Sequence, residues 1–191
     1  MKRVQSLFAG ALVATLALAV TGCGVNFYAG RPTDVKQIED LKMELKRIQA
    51  QKDLEAEQLS EAKSLLERRL QGEIQDKQVK LEMAERGLVI TFVAEVLYDS
   101  GKAVLLPQSQ GALEKVSWVL NEKVSDRDVG VEGHTDNEPI KHSRWRSNWE
   151  LSTARATSVI HFLVSQNVSP HRLTASGYGE YRPVASNNSK A

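Results

Sequence analysis

Two charged side chains, Asp136 and Arg155, sit where a ligand carrying both signs of charge could be captured. Asp136 follows Gly133, His134 and Thr135, just beyond Val129 and Val131, whose alternation with Asp128 and Gly130 reads as a short strand running into a glycine. It therefore belongs to a loop at a strand end. Ser147 and Glu150 fit a helix-starting capping box, and Leu151, Ala154, Val159, Phe162 and Leu163 recur at helical spacing. That pattern predicts a helix of about four to five turns. Arg155 lies four residues after Leu151 and four before Val159, so its stem runs beside the buried stripe. Helical side chains lean toward the N-terminus, so the guanidinium and the free N–H groups of the first turn together suit a carboxylate, while Asp136 suits an ammonium. An amino acid end, with both charges on one carbon, satisfies both. The spacing equally allows the two side chains to pair with each other and hold loop to helix.

Other chemistries have less support. Asp136 and Glu138 imitate a carboxylate pair, but no nucleophile-and-base set accompanies them, which argues against an enzyme. His134, His142, His161 and His171 lack the i, i+4 spacing with an acidic neighbour that zinc enzymes use, so no metal and no cofactor is expected. Trp118 and Phe162 are expected in the core, and Trp145 and Trp149 are expected to pack the segment before the helix onto the domain rather than to cover a saccharide or peptide.

The elements that must hold these residues begin at Gly87. Leu88, Ile90 and Phe92 alternate with Val89, Thr91 and Val93, a strand apolar on both faces. A loop from Glu95 to Lys102 leads to Pro107, which suits a helix start, and Leu113, Val116, Val119 and Leu120 give that helix a buried side to about Lys123. The helix carrying Arg155 ends before Asn167 and Pro170, and residues 172–176 form a third strand. Strand, helix, strand, helix, strand makes an α/β sandwich with the ligand loops at one end of the strands.

Gly133-His134-Thr135-Asp136, Asn148, Leu151-Ser152, Ala154-Arg155-Ala156 and Gly177-Tyr178-Gly179-Glu180 resemble the signature of the OmpA-like peptidoglycan-binding domain, over about residues 85–186. The resemblance implies an OmpA-C-like α/β sandwich in which Asp136 and Arg155 grip the zwitterionic end of diaminopimelate in the peptidoglycan stem peptide. It matches Asn148 to the family's loop asparagine and Asp99 to the aspartate of the first strand-to-helix loop. The insert from Glu138 to Ser147 is longer than the common pattern and is similar to the version of the domain in flagellar stator proteins. A wall-anchoring accessory of a motility or secretion machine is therefore the second reading. The family usually continues past the position of Ala191 into a last strand, so residues 85–191 are expected to lack it.

The chain before residue 85 reads as three segments. Lys2 and Arg3 precede an apolar run from Leu7 to Val20, a secretory leader ending Val20-Thr21-Gly22-Cys23. This resembles the bacterial lipobox, which implies that the sulfur of Cys23, the sole cysteine, is lipidated, that residues 1–22 are then removed, and that the cysteine ends triacylated with chains such as palmitate. Several acyl chains hold a protein durably to a membrane. Gly24, where an aspartate marks inner-membrane retention, implies the periplasmic face of the outer membrane. Loss of Lys2 and Arg3 leaves 23 basic and 24 acidic residues, turning the net charge from +1 to −1. Such balance argues against nucleic acid as a partner. Residues 23–33 form a short tether. From 34 to 84 a helix is expected, capped by Asp34, with Ile38, Leu41, Leu45, Ile48, Leu59, Ala62 and Leu66 in heptad spacing and Lys52 and Glu55 at seam positions. It would reach about 75 Å. So thin a stripe fits a coiled coil with a second copy, a homo-oligomer, or else a solitary charge-stabilised spacer.

Overall fold

A computed structural model describes residues 32–141 and 143–184. The leader (1–22), Cys23, most of the tether and His142 lie outside the described residues. The chain falls into two units that divide after Gln49, inside the first helix of the described residues, and each is taken by itself.

The first unit holds the start of α1, which runs from Pro32 to Arg69. The helix starts before the Asp34 cap expected for it. Proline's fixed φ suits a first turn, where its missing N–H has no helical partner to lose, and Asp34 lies within that turn, at the positive end of the dipole. From Thr33 to Gln49 every side chain is exposed, including the stripe of Val35, Ile38, Leu41, Leu45 and Ile48.

The second unit begins with the rest of α1 and overturns the expectation of helix as far as residue 84. The helix stops at Arg69. A short α2 (Gln71–Gln75) follows, then Lys77 at φ 57° reverses the chain into strand β1 (Val79–Ala84). The residues permit it, since Val79, Leu81 and Met83 alternate with Lys80 and Glu82 at the period of a strand, and pairing with the next strand selects it over helix. Gly87, at φ 116°, ends a tight turn that only glycine makes without strain. It returns the chain as β2 (Gly87–Phe92), antiparallel to β1, with Val79 opposite Phe92 and Ala84 opposite Gly87.

The seam read at Leu59, Ala62 and Leu66 faces this chain's own core, not a partner. Ala62, Leu66 and Leu70 are buried with Val79 and with Ala112, Val116 and Val119 of α4 (Gln110–Glu122). Heptad spacing specifies a buried stripe but not what buries it. Glu55, which looked anomalous at a seam, is paired with Arg127 at 3.2 Å, and Gln58 accepts from the same guanidinium at 3.0 Å. Between β2 and α4 lie α3 (Ala94–Leu97) and a 3-10 turn opened by Pro107. Leu97, Tyr98 and Leu113 form a second core with Phe92, Leu105, Val159 and Phe162 around them. Phe162 thus packs as anticipated, whereas Trp118 does not. Two residues past Val116, it turns to the opposite side of α4, 40% exposed, with the Arg69 guanidinium 3.7 Å over its ring.

The site-bearing half is a β–α–β unit. Strand β3 (Val129–Gly133) and strand β4 (Leu173–Gly177) pair in parallel, Val129 opposite Leu173 and Gly133 opposite Gly177. Helix α5 (Asn148–Ser165) connects them and packs on both. Among the described residues, no helix is long and apolar enough to cross a membrane.

Candidate functional site

Strands β3 and β4 end side by side on glycines, and α5 passes over both at that point. A Cβ on Gly133 would lie 2.1 Å from the backbone oxygen of Ser152, and one on Gly177 would lie 2.1 Å from Thr153 Oγ1. Any other residue would push the helix off the sheet. The buried Ser152 hydroxyl uses that closeness: it donates to the Trp149 carbonyl at 3.0 Å and accepts from the Gly179 N–H at 3.0 Å. Thr135 N–H donates to Gly179 O at 3.0 Å, and Tyr178 N–H to Gly133 O at 2.9 Å. The loops that follow β3 and β4 are thereby fastened to each other and to the first turn of α5.

That first turn forms where the capping pattern places it. Ser147 is the cap, in extended conformation, and its hydroxyl accepts the Glu150 N–H at 3.4 Å. The Glu150 carboxylate reaches one residue further back than a capping box requires, to the Arg146 N–H at 2.8 Å.

The four residues singled out from the sequence come together around this turn in different ways. Asp136 is exposed, and one carboxylate oxygen accepts the Glu138 N–H at 3.2 Å. Arg155, half-buried, gives its donors to backbone carbonyls: Nε to Lys102 O at 2.9 Å and Nη2 to Asp99 O at 3.3 Å. The guanidinium also lies 4.9 Å over the Tyr98 ring. Burial lowers the guanidinium's pKa from its ordinary value, and the electrostatic influence of Tyr98, Asp136 and Glu95 opposes that shift. Asp136 therefore acts on Arg155 through space, while the hydrogen bonds of each go elsewhere. Asp99 contributes its carbonyl to Arg155 and pairs its carboxylate with Lys102 at 2.8 Å. Asn148, 7% exposed, points inward and spends its amide N–H groups on Asp136 O at 3.5 Å, Glu138 O at 3.0 Å and Glu180 Oε2 at 2.8 Å. It braces the Asp136 loop against the loop after β4.

Tyr98 and Ser152 are the structural members that the sequence reading did not single out. The Tyr98 hydroxyl donates to Arg155 O at 2.8 Å, and burial pushes its pKa up. Burying such a group without partners would be costly, so its bonds to Arg155 O and Ser158 fix the α5 turn that carries Arg155. The aromatic residue before Asp99 was a usable signal; the packing of Ser152 was not.

The insert docks through Trp145, whose indole N–H donates to Gly101 O at 2.9 Å, the packing role expected of it. Trp149 is 46% exposed and stacks on Tyr181 with ring centroids 5.2 Å apart, so it holds the loop after β4 instead of the insert. His134 stacks on Tyr178 at 5.4 Å, and its Nδ1 lies 2.6 Å from Arg182 O. Among the described residues, no three His, Cys, Asp or Glu side chains are grouped to hold a metal ion.

Comparison with known proteins places this arrangement. The model of the OmpA family matches residues 97–191. Motility protein B of Bacillus subtilis is 35% identical over 139 residues, covering 71% of this chain and 52% of that protein. The structure of the cell wall anchor of the T6SS from Pseudomonas aeruginosa superposes with a TM-score of 0.58 at 35% identity, covering 65% of this chain and 85% of that one. The periplasmic domain of Helicobacter pylori MotB gives a TM-score of 0.55 at 25% identity, over 58% of this chain and 71% of the other. The chain spans about half the length of the first curated relatives it matches.

Proposed function

We propose, from the premise that the chain belongs to the OmpA family through residues 97–191, that it binds peptidoglycan without catalysis and ties an envelope membrane to the cell wall. The ligand is the zwitterionic end of diaminopimelate in the stem peptide. Arg155 takes its carboxylate, Asp136 its ammonium, and Asn148 and Asp99 hold those two groups in place. The observation that carries this reading is the charge state of the site. A half-buried guanidinium is oriented by neutral carbonyls, and a carboxylate stands near enough to be felt without being paired to it. A zwitterion supplies the missing partner to each, and charge-assisted bonds are the strong ones. Repetition of the ligand across the wall lattice raises weak single contacts to firm attachment.

The membrane end is Cys23, its sulfur lipidated before residues 1–22 are removed, on the periplasmic face of the outer membrane. The exposed stripe of Ile38, Leu41, Leu45 and Ile48 supports association with a second copy. The relation to a motility protein and to a T6SS cell wall anchor favours a second reading, in which the same wall binding serves a motility or secretion machine.

Co-sedimentation with diaminopimelate-type sacculi tests the core of the proposal. The protein should pellet with sacculi, and Asp136→Ala and Arg155→Ala should stay in the supernatant while retaining their circular dichroism spectra. Pelleting of the folded Arg155→Ala protein at the wild-type level would sink it.

A further inference from the structure

The loop from Asp99 to Lys102 is held from two sides. Its base is closed by the Tyr98–Leu105 bridge and by Leu106 N–H donating to Leu97 O at 2.9 Å. Its tip is a tight turn, Lys102 N–H to Asp99 O at 3.1 Å, with Gly101 at φ 67°. On one side, two of its carbonyls, Asp99 O and Lys102 O, receive Nη2 and Nε of Arg155. On the other, one of the two carbonyls between them, Gly101 O, receives the indole N–H of Trp145 at 2.9 Å. Ser143, also in the insert, closes over Gly101, where an added Cβ would meet its Cβ at 3.3 Å.

We infer that Trp145 is a positioning residue of the ligand site: its indole N–H fixes the Asp99–Lys102 loop, and the carbonyls of that loop aim the Arg155 guanidinium. The insert is thus the outer half of a clamp whose inner half is the ligand-binding arginine. The inference rests on the reading of Arg155 as the carboxylate-binding group. Its physical basis is that a carbonyl turned by a few tens of degrees no longer accepts well, so an Arg155 held by two carbonyls of one short turn depends on the orientation of that turn. Gly101, at a φ that glycine tolerates freely, is the point about which the turn would swing if Trp145 let go.

The test uses the full chain labelled with nitrogen-15, following the side-chain N–H resonances of Trp145 and of Arg155 Nε, identified by their absence in Trp145→Phe and Arg155→Lys. On titration with meso-diaminopimelate, the Trp145 indole resonance is expected to move with the same Kd as the Arg155 resonance. In Trp145→Phe, which keeps the ring packing, the Arg155 Nε–H signal should shift and exchange faster with water. Affinity for diaminopimelate should fall about threefold to tenfold, the loss of one hydrogen bond. An unmoved Arg155 signal and unchanged affinity in Trp145→Phe, with Arg155→Ala unable to bind, would overturn the inference alone. If Arg155→Ala bound as the wild type does, the ligand reading would fail, and the Arg155 signal in Trp145→Phe would still decide whether the clamp exists.

Discussion

A guanidinium oriented by carbonyl oxygens keeps its charge available, whereas one locked to a carboxylate has already been answered. Arg155 is of the first kind, and although burial lowers its pKa, it remains a cation throughout the physiological range. What Arg155 needs is the fork as well as the charge. Lysine carries one compact ammonium that cannot reach both Asp99 O and Lys102 O while facing a ligand. Arg155→Lys should therefore lose most sacculus binding, with little change in melting temperature, as measured by pelleting and thermal denaturation. Gly133 poses the opposite case, in which the backbone is the function. A methyl group there would sit 2.1 Å from Ser152 O, so Gly133→Ala should destabilise the domain by about 1–3 kcal/mol or more in urea titration. Both residues were legible in the sequence, Arg155 from helical spacing and Gly133 from its place at a strand end. Their partners were not, because the carbonyls of residues 99 and 102 carry no sequence signature.

At the scale of elements, α4 and α5 were readable because long apolar periodicity with a capping residue or a leading proline has few competing interpretations. The segment from 70 to 84 was not, because the six residues of β1, two of them charged, lie amid helix-forming neighbours and fit helix and strand templates almost equally. Only the pairing partner decides, and β2 is that partner. The consequence is testable by truncation. A fragment of residues 85–191 lacks β1 and the buried Leu66 and Leu70, leaving β2 as an open edge over an uncovered core. It should aggregate or show molten behaviour, while residues 50–191 should unfold cooperatively. Within the intact chain, Leu66→Ala should cost roughly 2–5 kcal/mol, measured by denaturant unfolding, since the side chain is 2% exposed in the core. A Leu66 that served a seam between chains would instead show its loss in association.

For the whole molecule, the division of α1 changes where self-association is expected. Within the described part of α1, the exposed stripe of Val35, Ile38, Leu41, Leu45 and Ile48 lies in the stretch as far as Gln49. Ile38→Asp with Leu45→Asp should convert an associating protein to a monomer in sedimentation velocity without altering sacculus binding. If the wild type is monomeric at high concentration, the stripe is only a spacer. Replacing Cys23 by alanine should move the protein from the outer-membrane fraction to the soluble periplasm. Retention in the membrane fraction would count against lipidation. The near-zero net charge accords with attachment through a few placed charges, since no field of one sign draws the molecule to a polyanion.

The paired glycines beneath α5 also bear on genetics. A second-site suppressor normally works by trimming whatever an enlarged residue strikes. At Gly133 the obstruction is Ser152 O, and at Gly177 it includes the backbone nitrogen of Thr153 at 2.5 Å, atoms that every amino acid carries. No substitution at 152 or 153 can remove them. A selection for restored wall binding, begun from alanine at either position, should return reversions of the original codon and few compensating changes.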